Sequence, residues 1–70
     1  MNVRVGCPLT ENELEAVRLL SQGLSWKLVA VRMDRGIGSI QWILRTAKEK
    51  VGTRHDTALV ATAIRKGWIQ

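Results

Sequence analysis

Seventy residues with a formal net charge of +5 make one small domain, whose core alone leaves stability marginal. The single cysteine, Cys7, excludes an internal disulfide, and Cys7 with the single histidine, His55, falls short of a four-ligand zinc site, so no metal or other cofactor is expected and self-association is the first aid to look for. No apolar run is long enough for a signal peptide or a membrane span, which points to a reducing cytoplasm.

The charge is unevenly placed. Residues 1–24 balance to −1, whereas residues 25–70 set nine Lys or Arg against Asp34, Glu49 and Asp56, a balance of +6. A basic segment of this kind attracts a polyanion, with counterion release as the usual source of affinity.

Residues 1–8, which include Pro8, show no periodicity and read as an N-terminal arm; residues 9–70 form the domain. The first helix opens on a capping box, with Thr10 as N-cap and Glu13 three residues on, and Leu9 and Leu14 are placed as a hydrophobic staple. Glu11 and Glu13 also complement the positive end of the helix dipole. Leu9, Glu13, Ala16, Val17, Leu20 and Leu24 then trace one side at helical spacing, and Gly23 is the stop.

Ser25 caps a short second helix that turns Val29, Ala30 and Met33 to the core, with Trp26 at the edge of that face. It ends near Asp34, and Arg35 and Gly36 make the turn into a third helix for which Gly36 is a weak N-cap. In the third helix Ile40, Leu44, Ala47 and Val51 form the buried stripe, opposite Gln41, Trp42, Arg45, Lys48 and Glu49, and Gly52 is a left-handed cap. Asp56 is the expected N-cap of a fourth helix, in which Leu59, Val60, Ala63 and Ile64 recur at three and four before Lys66 and Gly67 end it. No strand alternation of useful length appears, so the expected class is all-α with four helices.

These residues resemble the C-terminal DNA-binding domain of the LuxR/GerE family of bacterial transcription regulators, without a gap from Leu9 to Ile69. The resemblance is carried by Leu9 and Thr10 with Glu13 and Glu15, by Leu19, Leu20, Gln22, Gly23, Leu24 and Ser25, and by Lys27, Ala30 and Arg32. It continues through Gly38, Ser39, Ile40, Leu44, Arg45, Lys50 and Gly52 to Ala63, Ile64, Arg65, Lys66 and Gly67. It implies a helix-turn-helix formed by the second and third helices, a dimer contact from the fourth, and double-stranded DNA as partner, in a short stand-alone member of bacterial or phage type located at the nucleoid. Carried over by position, base reading falls on Gln41, Trp42 and Arg45, and phosphate contact on Lys27, Ser39, Lys48 and Lys50. Arg45 can grip guanine and Gln41 adenine through paired hydrogen bonds, whereas Trp42 suits a thymine methyl group. The dimer contact is expected from Leu59, Val60, Ala63 and Ile64, with Trp68 and Ile69 beside them.

The chain departs from the family at Gln41, where Lys is preferred, at Ile43, where His is frequent, and across Asp34, Arg35 and Gly36 of the turn. Trp26, Leu28 and Val31 stand where the family is commonly polar and mark a patch for a protein partner. Two functions are therefore expected in order: a homodimeric, sequence-specific DNA-binding regulator on an inverted-repeat operator, and an anti-activator that binds another transcription regulator. Enzymatic activity is not expected. No Ser, His and acid set or glycine-rich phosphate loop is present, His55 beside Asp56 at a helix start reads as structural, and Cys7 reads as an ordinary thiol. The cations are spread over several helices, which argues against a membrane-surface helix, and no small-molecule ligand is evident.

Overall fold

The computed structural model describes residues 6–70, so residues 1–5 of the expected arm lie outside the described residues. Four α-helices follow one another: α1 (Glu11–Ser21), α2 (Trp26–Met33), α3 (Ile37–Val51) and α4 (Asp56–Arg65). Among the described residues there is no strand, and no helix is long and apolar enough to cross a membrane.

Local chemistry sets the boundaries. At α1 the Thr10 side chain accepts from the Glu13 N–H at 3.2 Å, while the Thr10 N–H donates to Glu13 Oε1 at 2.8 Å, the reciprocal pair expected from the sequence. The helix closes on Gly23 at φ +89°, with Gly23 N–H on Leu20 O and Leu24 N–H on Leu19 O, so that otherwise orphaned carbonyls are satisfied. Ser25 caps α2 by accepting from the Leu28 N–H at 3.2 Å. That helix ends on Asp34 in the left-handed region at φ +57°, one of the few side chains that tolerate it, and the Arg35 N–H returns to Ala30 O at 2.9 Å.

The start of α4 corrects the expectation for Asp56. The N-cap is His55, without a side-chain cap, and Asp56 is the first helical residue. Its carboxylate is engaged elsewhere, by Trp26 and Lys48, as described below.

The core is one cluster fed by all four helices. Val17 of α1, Val29 of α2, Ile40 and Leu44 of α3 and Leu59 of α4 are its fully buried large side chains. Ala16, Ala47 and Ala63 are also fully buried, and small residues at these positions let the helices approach closely. α1 packs on the other three helices and α3 packs on α2 and α4, so α3 is held from three directions. Leu9 and Ile69, which lie outside the helices, complete the cluster and are both nearly inaccessible.

Candidate nucleic-acid interface

Helix α3 divides as its periodicity requires. Ile40, Leu44 and Ala47 are buried and Val51 is half-buried, as expected, and Ile43 joins them at 8% exposure. Ile43 stands three residues after Ile40, on the edge of the same stripe, and so adds to the core rather than to the outward face. That face carries Gly38, Gln41, Trp42, Arg45 and Glu49, all exposed, with Trp42 at 63%. A groove of about 550 Å³ runs alongside, with Arg35, Gly38, Ser39 and Trp42 among its walls.

Two polar anchors hold this helix. The first joins it to α1. Glu13 is buried, its Oε1 accepts from Lys50 Nζ at 2.8 Å as well as from the Thr10 N–H, and its Oε2 accepts from the Thr46 hydroxyl at 2.7 Å. Burial pushes the Glu13 carboxyl up, but hydrogen bonds from Lys50, Thr46 and the Thr10 N–H, together with the Lys50 charge, outweigh it and hold the pKa below its ordinary value. The second anchor joins α2, α3 and α4. Trp26 Nε1 donates to Asp56 Oδ2 at 2.6 Å, Lys48 Nζ lies 3.0 Å from Asp56 Oδ1, and the same ammonium sits 5.5 Å from the Trp26 ring centroid. The Lys48–Asp56 contact is an ion pair without hydrogen-bond geometry.

These anchors give two of the expected phosphate-contacting residues partners within the chain. Lys48 and Lys50 are taken by Asp56 and Glu13, and the Lys48 side chain retains only 17% of its exposure. Lys27 and Ser39 are exposed as expected. Arg35 is an exposed cation that sequence reasoning passed over, because it reads as a turn residue; its place on the groove wall beside Ser39 and Trp42 becomes visible only in three dimensions. Arg45 also has a partner, Glu49 at 3.5 Å, but both side chains are more than 60% exposed. An exposed pair of this kind is worth about 0.3–0.5 kcal/mol, against about 1–3 kcal/mol for a bidentate guanine contact, so Arg45 is free to exchange.

The other expected surfaces divide similarly. Trp26 does not belong with Leu28 and Val31: it is half-buried, turned to the core and bonded to Asp56, while Leu28 and Val31 are 52% and 68% exposed. On α4, Leu59 and Ala63 are completely buried in the chain's own core, because they fall on the side facing α1 and α3; Ile69 is buried as well. Val60 and Ile64 remain for a contact, and with Leu20, Thr57 and Ala61 they line an apolar groove of about 450 Å³. Cys7 is half-buried, with Sγ 4.0 Å from Leu9 O.

Comparison with models of known protein families and with curated proteins found no match for this chain.

Proposed function

We propose that this chain is a DNA-binding regulator of LuxR/GerE-like helix-turn-helix type, in which α3 enters the major groove and α2 braces it. The observation that carries this reading is the outward face of α3. Gln41, Trp42 and Arg45 stand exposed together on a helix fixed by two polar anchors, and a rigid base-reading rod needs both properties. Gly38 supports it. A Cβ there would meet no atom within 4 Å, so the position lies open on the outward face and its glycine leaves room for a close approach by a duplex.

In this reading Arg45 and Gln41 address base edges, Trp42 covers a thymine methyl group, and Lys27, Ser39 and Arg35 hold phosphates. Val60 and Ile64 supply an isologous contact that places two copies of α3 in successive major grooves, about 34 Å apart. A mobility-shift series with Arg45→Ala tests it: affinity for a selected duplex falls while random duplexes are affected less. Equal binding of wild-type protein to every duplex excludes sequence reading.

A second reading, an anti-activator that binds another transcription regulator, is favoured by one observation. Each cation of α3 already has a carboxylate partner, which lowers its attraction for phosphate. Recovery of a regulator by pull-down after nuclease treatment, with no shift of any duplex, supports it.

A further inference from the structure

The outward face of α2 has a composition that neither base reading nor core packing explains. Its inward side is complete, with Val29 and Ala30 buried and Trp26 and Met33 packed against the core. At about 100° per residue the remaining positions run around the helix in the order Lys27, Val31, Leu28, Arg32. Two branched aliphatic side chains, one turn apart and both more than half exposed, therefore lie between two cations. Neither Lys27 nor Arg32 forms an ion pair among the described residues, in contrast to Arg18, Arg45, Lys48 and Lys50. No Asp or Glu occurs between Glu15 and Asp34, so α2 carries no acid of its own to neutralise them.

We infer that this ridge docks an acidic amphipathic helix of another protein, with apolar side chains one turn apart seated on Leu28 and Val31 and flanking carboxylates meeting Lys27 and Arg32. The charge pattern decides among occupants. A nucleic-acid backbone satisfies the cations but leaves the central aliphatic pair without a complement. A second copy of the ridge, related by a two-fold axis, covers the aliphatic pair but sets cations against cations. An acidic amphipathic helix complements both features at once, by packing its own apolar stripe alongside the ridge as paired helices do. The inference gives the protein-partner reading its surface and its partner chemistry; it shares Lys27 with the proposed phosphate contacts, so a duplex and the acidic helix compete there, while Leu28, Val31 and Arg32 belong to the helix alone.

The test is a display selection on the full chain, using a library of helical peptides with two leucines one turn apart and randomised neighbours. Asp and Glu become enriched beside the leucines, and the best peptide loses affinity at least ~10-fold with Val31→Glu, by like-charge repulsion at a desolvated contact, and at least ~3-fold with Arg32→Glu. Val31→Ser, which adds no charge, weakens it less. Arg45→Ala leaves peptide affinity unchanged. Circular dichroism reports the folding of each variant, and the exposure of Val31 predicts little change. Enrichment of basic peptides, or of none, overturns the inference. So does self-association abolished by Val31→Glu, which assigns the ridge to a second copy, or duplex binding lost with Arg32→Glu while no acidic peptide is selected, which assigns it to DNA. A chain that shifts no duplex yet selects acidic peptides loses only the base-reading proposal; one that shifts duplex and selects no peptide loses only this inference.

Discussion

Removing the charge at Glu13 separates the two tasks of the α1–α3 anchor. Glu13→Gln keeps the size of the side chain and an oxygen for the Thr10 N–H, and the Thr46 hydroxyl can turn to accept from the new amide. What disappears is the ionic part of the bond to Lys50. The ammonium keeps a hydrogen bond to the amide oxygen, and the bonds from the Thr10 N–H and Thr46 change from a charged to a neutral acceptor, so the loss is on the order of 1–1.5 kcal/mol. The Lys50 side chain is 37% exposed and solvent screens it, so about 1 kcal/mol is the figure to expect. For a chain of this length that lowers the Tm by about 4–8 °C. The sign of the pH dependence follows from the lowered pKa of Glu13: its stabilisation is complete above the ordinary carboxylate range and disappears as pH falls through the lower folded-state value. Thermal melts at neutral pH and at successively lower pH should therefore show the wild-type advantage shrinking, while Lys50, its charge no longer neutralised by Glu13, adds to duplex affinity at low salt. Equal Tm values at neutral pH, or an advantage that stays constant into strong acid, refute the reasoning.

Other perturbations follow from the same geometry. Because Lys48 is held by Asp56, Lys48→Ala leaves the salt slope of duplex binding nearly unchanged, whereas Arg35→Ala flattens it by about 0.9 in log K per log salt; fluorescence anisotropy across a salt series reads both. Gly38→Ala removes the helix penalty of glycine and raises stability by about 0.5 kcal/mol in a denaturant melt, yet weakens duplex binding because the methyl group stands on the face proposed to meet DNA. Ile64→Asp, at an exposed position, shifts sedimentation from dimer to monomer with little change in Tm, while Leu59→Ala, fully buried, loses about 2–5 kcal/mol and unfolds much of the population.

Much of the frame was legible because its signals are local. The capping box at Thr10, the Ser25 cap, the stops at Gly23 and Gly52 and the stripe Ile40, Leu44, Ala47, Val51 each depend on residues within a few positions of one another, and each stands where it was expected. The anchors were not legible. Glu13 with Lys50 and Trp26 with Asp56 join residues thirty or more positions apart, and no periodicity announces which carboxylate a lysine meets. Reading Asp56 as a cap, and leaving Lys48 and Lys50 without protein partners, had one physical cause: a charged side chain near a helix end satisfies a local rule equally well until a distant partner is brought beside it. On α4 the spacing of Leu59, Val60, Ala63 and Ile64 was correct but did not say how the stripe divides, because the packing against α1 and α3 decides that.

Selection of bound duplexes from a random pool, with wild-type protein and Arg45→Ala side by side, tests the proposed base reading by α3 most directly. The expected product is an inverted repeat whose half-sites lie about one helical turn apart, with at least one guanine position that becomes degenerate in the variant. A pool that stays random, or a motif identical for both proteins, contradicts the assignment of Gln41, Trp42 and Arg45 to base edges.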